Sequence, residues 1–167
     1  MPLRFILYFI LALVACIQTA IAVEQPRASK IIVHKSDYRM ELLDKNANVL
    51  RTYNIALGSS PTGHKTQEGD ERTPEGLYRI SGRNPHSSFH LSLRVSYPNE
   101  QDIAQARKRG VSPGGDIMIH GVGDGFGWIG SLHRILNWTN GCIAVTNYEI
   151  EEIWGMVRDG TPIEIRP

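Results

Sequence analysis

From residue 24 onward the apolar positions fall in short runs separated by polar or Gly-rich stretches. Lys30-Ile31-Ile32-Val33-His34-Lys35, Arg39 to Leu43 and Val49 to Leu57 each read as a strand. Ser36-Asp37 and Asp44-Lys45-Asn46-Ala47-Asn48 supply the turns between them, which predicts an antiparallel meander. Leu77-Tyr78-Arg79-Ile80, the alternating Leu91-Ser92-Leu93-Arg94-Val95, Asp116-Ile117-Met118-Ile119 and Ile163-Glu164-Ile165 continue the strand series. Two segments follow a different rule. Asn99 or Glu100 can begin a helix through Arg109, with Gly110 as its stop. Thr146 and Glu149 have capping-box spacing, and Ile150, Ile153, Trp154 and Val157 then lie at i, i+3, i+4 and i+7 on one apolar face. Trp154 is therefore assigned to the core, and Asp159-Gly160-Thr161-Pro162 ends the helix. The class expected is mainly β, a β-rich α+β domain.

The remaining stretches lack apolar periodicity. Gly58 to Gly76 is a long loop rich in Gly, Thr, Pro and charge, and long ordered loops in compact domains are usually functional. Its His64, Lys65 and Arg72 would either face an acidic substrate group or form a solvated rim. Ser81 to His90 reads as a second polar loop. His86 and His90 are four apart, but Pro85 and two serines argue against the helix a zinc site would need there. His34 reads as a surface or internally satisfied histidine. The glycines between Gly121 and Gly130 make that stretch a candidate for closing over a substrate.

The N-terminal pattern sets the compartment. Met1 to Arg4 carries one positive charge, Phe5 to Ala15 is continuously apolar, and Ala20-Ile21-Ala22 fits a small-x-small cleavage site. Residues 1–22 are read as a secretory signal peptide, 23–29 as a linker and 30–167 as one domain. Leu13-Val14-Ala15-Cys16 also resembles a bacterial lipoprotein box, so lipidation at Cys16 and an uncleaved anchor stay open beside simple cleavage. Each alternative places the folded part outside the cytoplasm, in the periplasm or cell envelope. The chain has 18 basic and 17 acidic residues, and Arg4 is the one basic residue before Glu24, so cleavage leaves 17 of each and a net charge of zero. That argues against nucleic acid as a partner, and against membrane contact other than through the signal or a lipid anchor.

After cleavage Cys142 is the remaining cysteine. A single thiol in an oxidising compartment is either buried and inert or reactive for a purpose. Its surroundings favour reactivity. The strand ending in His120-Gly121 and the segment Asn137-Trp138-Thr139-Asn140-Gly141-Cys142 each join an apolar run to a Gly-containing turn, and adjacent strands could bring His120 to Cys142. An imidazole can take a thiol proton and leave a thiolate–imidazolium pair. His133 is the competing base, in a Ser-Leu-His-Arg segment with no strand to fix it. Gly141 allows close backbone approach, the N–H groups at Cys142 suit an oxyanion, and Thr139 and Asn140 can donate hydrogen bonds at the rim.

HG…WTNGCIAV resembles the signature of the YkuD-type L,D-transpeptidases, in which an HG strand end precedes an [ST]-x-G-C segment. Gly58…Gly63-His64-Lys65…Gly69-Asp70-Glu71-Arg72-Thr73-Pro74-Glu75-Gly76 is similar to the family's G…G-x-K…GD-x-x-TP-x-G loop. The resemblance covers about Lys30 to Ile165. The chain departs from it at Asn140, where many members have a second histidine; it is similar to the branch with a W-T-x-G-C segment. The resemblance implies an L,D-transpeptidase catalytic-domain fold, a β-sandwich or meander with a short helix after the Cys strand. It implies Cys142 as nucleophile and His120 as general base and acid, oriented by a backbone carbonyl at or near Gly121. Substrate contacts would come from Gly121, Thr139, Asn140 and Gly141, with no metal and no organic cofactor. The substrates implied are peptidoglycan stem peptides: a thioester forms, D-alanine leaves, and an amine acceptor takes the acyl group. A wall-linked lipoprotein is another partner the family suggests. Hydrolysis by an L,D-carboxypeptidase or amidase, and a non-catalytic peptidoglycan-binding domain, are the competing readings.

Overall fold

The computed structural model describes residues 26–167. The expected signal peptide, Cys16 and the start of the linker lie outside these residues. Eight strands form the sheet: β1 (Lys30–His34), β2 (Arg39–Leu43), β3 (Val49–Asn54), β4 (Gly76–Ser87), β5 (His90–Val95), β6 (Met118–His120), β7 (Ile143–Ala144) and β8 (Pro162–Arg166). Their order is β3-β2-β1-β8-β4-β5-β6-β7. The first three strands make the expected antiparallel meander, with Ile31 opposite Leu42 and Met40 opposite Tyr53. The C-terminal strand β8 then lies parallel to β1 and antiparallel to β4, so the end of the chain joins the meander to the half that carries His120 and Cys142.

The long strand β4 belongs to both halves. Gly76 to Arg79 pairs with β8, and from Ile80 onward the strand pairs with β5. The two halves face each other over one core, to which Ile31, Val33, Leu42, Leu93, Ile119, Ile143, Ile150 and Ile163 all contribute. Each fully buried side chain of this size contributes about 1.5–3 kcal/mol. The sheet curls until its ends meet. Beyond β3, Ala56 and Ala144 exchange two backbone hydrogen bonds of 2.9 Å, and Gly58 bridges Thr139. The mainly β class with few helices is as expected.

The two α-helices among the described residues obey their caps. In α1 (Glu100–Arg109) the Asn99 side chain accepts from Gln101 and Asp102 N–H, the Asp102 carboxylate accepts from Asn99 N–H, and Gly110 ends the helix in the left-handed region at φ 71°. In α2 (Asn147–Met156) Thr146 and Glu149 form the expected reciprocal cap. Ile150, Ile153 and Val157 are buried. Trp154 packs partly buried against the same core, with the Arg83 guanidinium 3.9 Å above its ring.

The stretch from Ser81 to His90 is not the polar loop its composition suggests. Strand β4 runs on to Ser87 and turns into β5 at His90. These residues are mostly exposed, so no apolar alternation marks them; the β5 ladder, with its bulges at Ile80/Gly82 and Asn84/Ser87, holds them extended. The end of the expected linker is also tied down, because Ala28 N–H donates to the Met156 carbonyl and Ser29 N–H to that of Leu43.

Candidate active site

Strand β6 is three residues long and lies between β5 and β7. Ile119 points into the core, and His120 therefore points to the opposite face. The His120 ring has Nδ1 2.6 Å from the Gly121 carbonyl oxygen. A carbonyl can only accept, so Nδ1 carries the proton and Nε2 carries the lone pair. The ring is walled by Phe89 at 4.5 Å and Trp138 at 5.7 Å, centroid to centroid. Burial lowers its pKa against the opposing effect of the Gly121 bond. Position 121 is tight, since a Cβ would stand 2.5 Å from Asn147 Oδ1 and 3.0 Å from the Phe89 carbonyl. Gly121 thus acts through its carbonyl on His120.

Cys142 is set by a turn anchored at both ends. Asn137 Oδ1 accepts the Leu57 N–H at 3.0 Å. Thr139 Oγ1 accepts the Gly141 N–H at 3.2 Å and donates to the Cys142 carbonyl at 2.7 Å. That hydroxyl is buried inside the turn and does not reach the rim, whereas Asn140 is exposed. Gly141 adopts φ 120°, and a Cβ there would meet the Arg72 carbonyl at 2.6 Å. In the parallel β6–β7 pairing Ile119 lies beside Ile143 and His120 beside Ala144. Alternation from Ile143 puts Cys142 on the same face as Ala144 and His120. The thiol donates to the Asp116 carbonyl at 3.4 Å. Burial pushes the thiol above its ordinary pKa, while the Met118 backbone and the Lys65 ammonium act the other way.

Ser92 lies directly across from His120 in the β5–β6 ladder, buried, with a hydroxyl that has no partner among the described residues. Its place in an alternating strand gave no sign of this.

The Gly58–Gly76 loop backs the turn. Gly58 N–H donates to Thr73 Oγ1, and a Cβ at position 58 would lie 2.0 Å from the Glu71 carbonyl. Asp70 gathers the loop by accepting from Lys65 Nζ at 2.7 Å and from the N–H groups of Thr66, Gln67 and Arg72. Sequence reasoning missed Lys35, whose buried ammonium donates to the Gly63 and Thr73 carbonyls and to Glu75 at 2.6–2.9 Å. Burial lowers its pKa despite the Glu75 carboxylate beside it. Of the three residues offered for an acidic group, His64 is held between the Glu75 N–H and Asp102, and Lys65 is 3% exposed and paired with Asp70. His90 meets Glu151 at 2.7 Å. Among the described residues no group of three His, Cys, Asp or Glu side chains is placed to share a metal ion.

Two clefts of opposite character are lined by residues that touch the pair, Asp116 at Cys142 and Phe89 and Trp138 at His120. A polar basin of about 450 Å³ is lined by Lys65, Glu68, Glu71, Asp116 and Asn140. An apolar cleft of about 500 Å³ is lined by Phe89, Val122, Phe126, Ile129, His133 and Trp138. His133 sits in a 3-10 segment, Gly127–Ile135, edge-on to Trp138 at 6.3 Å. Burial, then the nearby Arg134, holds its pKa down to about 4. A third cleft, about 970 Å³ around Glu75, Asp102 and Arg166, shares no lining residue with these two.

Residues 28–165 match the L,D-transpeptidase catalytic domain model, YkuD. The chain belongs to that family. It is 26% identical over 132 residues to YafK of Escherichia coli (strain K12), named as an L,D-transpeptidase, covering 76% of this chain and 46% of YafK. Among solved structures it resembles the helical cell shape determining protein Pgp2 of Campylobacter jejuni, with TM-score 0.63, 24% identity, and coverage of 84% of this chain and 48% of that one. Bd1075 of Bdellovibrio bacteriovorus gives TM-score 0.60 at 23% identity, covering 87% and 50%. The L,D-transpeptidase from Mycobacterium smegmatis gives 0.55 at 15%, covering 84% and 59%. These likenesses support the fold, and the chain spans about half the length of YafK, Pgp2 and Bd1075. Among the described residues no helix is long and apolar enough to cross a membrane.

Proposed function

We propose that this chain is a peptidoglycan L,D-transpeptidase of the cell envelope, with Cys142 as nucleophile and His120 as general base and acid. The observation that carries the reading is the parallel β6–β7 register. It puts both side chains on one face, while the Gly121 carbonyl leaves the His120 Nε2 lone pair free to take a proton.

Nε2 takes the thiol proton as Sγ attacks the carbonyl at the L-centre of a stem diamino acid. The C–N bond to D-alanine breaks, the departing amine receives that proton, and a thioester remains. An amine acceptor then attacks: the C–S bond breaks, an amide forms, and the amine's proton returns through His120 to Sγ. Gly141 N–H is committed to Thr139, so the Cys142 N–H is the backbone donor left for the oxyanion. The polar basin carries Glu68 and Glu71 for a diamino acid's ammonium and Asn140 for its amide or carboxylate, while the Asp116 carboxylate is paired with Arg94.

The test incubates the full chain and its Cys142→Ala variant with a tetrapeptide-stem muropeptide and a free D-amino acid, with products read by mass spectrometry. Cys142-dependent exchange of the terminal D-alanine is the expected result. Loss of D-alanine without exchange would replace the reading with an L,D-carboxypeptidase. No reaction with either protein would point to amidase action on wall-protein links or to peptidoglycan binding alone.

A further inference from the structure

The two clefts beside Cys142 and His120 differ in chemistry, and the difference assigns them. The polar basin adjoins the thiol: the backbone carbonyl of its Asp116 accepts from Sγ, and its Asn140 precedes Cys142 by two residues. The apolar cleft adjoins the imidazole, because Phe89 and Trp138 line it and also pack on the His120 ring. In a two-step acyl transfer the acyl group stays on the sulfur while the second amine must reach the base. The amine therefore arrives on the His120 side.

We propose that the cleft formed by Phe89, Val122, Phe126, Ile129, His133 and Trp138 is the acceptor subsite, and that it selects an amine bearing a large apolar or aromatic side chain. This rests on the transpeptidase reading. The walls are three aromatic rings and two aliphatic side chains, matched to a group that gains by leaving water. Asp124 is the one carboxylate at the cleft, and it disfavours an acidic acceptor. A second observation points to a ligand. The His133 ring lines the cleft and is 9% exposed, yet both its nitrogens are buried without a partner among the described residues. A buried imidazole normally finds a hydrogen bond, and a turn of the ring toward an amino acid's amide or carboxylate in the cleft would supply one. The transfer balances as before: the acceptor nitrogen bonds the thioester carbonyl, the C–S bond breaks, and the released proton passes to His120 Nε2 and on to Sγ.

Two measurements separate this inference from the reading beneath it. In the first, the full chain is given a tetrapeptide-stem muropeptide with equal D-phenylalanine and D-aspartate, and the two exchange products are compared by mass spectrometry. The expected preference for D-phenylalanine is at least about tenfold, the size an apolar pocket confers, and it should collapse in Ile129→Asp. Equal products, or a preference unchanged by Ile129→Asp, would overturn the proposal. The second needs no chemistry. The Cys142→Ala full chain is titrated with each amino acid while the His133 ring protons are followed by NMR. D-phenylalanine should move them at about a tenth of the D-aspartate concentration or less. Equal titrations, or ring signals that stay fixed while D-phenylalanine saturates, would overturn the cleft even if no D-alanine is ever exchanged. D-alanine exchange with no selectivity would leave the transpeptidase reading standing without this one.

Discussion

At Cys142 and His120 burial drives both groups toward neutrality, raising the thiol pKa and lowering that of the imidazole. The sequence alone suggested a thiolate–imidazolium pair; burial instead favours a protonated thiol, placed to donate to the Asp116 carbonyl, and a neutral imidazole with its lone pair at Nε2. Deprotonation then accompanies attack rather than preceding it. Alkylation of the free protein by iodoacetamide, read on the Cys142 peptide by mass spectrometry, should therefore climb about tenfold per pH unit through neutrality, as an unactivated thiol does. A rate already flat from mildly acid pH upward would mean a preformed ion pair and would contradict the assignment. The sequence singles the two residues out because each sits where an apolar run meets a glycine; at Gly141 a Cβ would strike the Arg72 carbonyl, and at Gly121 it would displace the Asn147 side chain. The Thr139 hydroxyl, expected at the rim, bonds its own turn, because a hydroxyl in a turn is as ready to bond its own backbone as a substrate.

Among the elements, the Gly58–Gly76 loop depends on Asp70. Burial alone would raise the Asp70 carboxyl, but the Lys65 ammonium and three backbone N–H groups outweigh it and hold the carboxyl below the usual range. A carboxyl depressed in the folded state stabilises above its unfolded pKa, and that contribution is lost as pH falls through the lower folded value. Asp70→Asn should thus lower stability at neutral pH by about 1–3 kcal/mol in urea denaturation, the cost of weakening a set of charge-assisted bonds. The gap between the two proteins should narrow in acid below about pH 4; a gap constant with pH would place the effect elsewhere. Local signals read these elements well, because a capping box or a glycine stop is complete within a few residues, as at Asn99, Gly110 and Thr146. Lys35 could not be read the same way, since its acceptors lie 28 to 40 positions along the chain. The outer part of β4 was hidden for a related reason: its pairing with β5, and not its own pattern, makes it a strand.

For the whole molecule, the closing of the sheet connects stability to the site. The seam is narrow: beyond β3 the chain meets the two-residue strand β7 through Ala56 and Ala144, then passes Thr139 at Leu57 and Gly58. Cys142 lies between Thr139 and Ala144, so the seam fixes the proposed nucleophile from the meander side while β6 fixes it from the His120 side. No periodicity could announce a strand of two residues. Ala56→Pro removes the N–H that donates to the Ala144 carbonyl and leaves that buried acceptor unpaired. It should cost about 1–3 kcal/mol in denaturant unfolding. Hydrogen exchange should quicken at Ala144 and Thr139, whose amides donate across the seam, while Ile31 to Val33 in β1 keep their protection. D-alanine exchange should fall by more than the loss of folded protein explains, because a nucleophile displaced by even an ångström loses much of its advantage. Exchange that quickened equally in β1 would mean global loosening. Unchanged catalysis with an opened seam would show that β6 alone is enough to hold Cys142 in place.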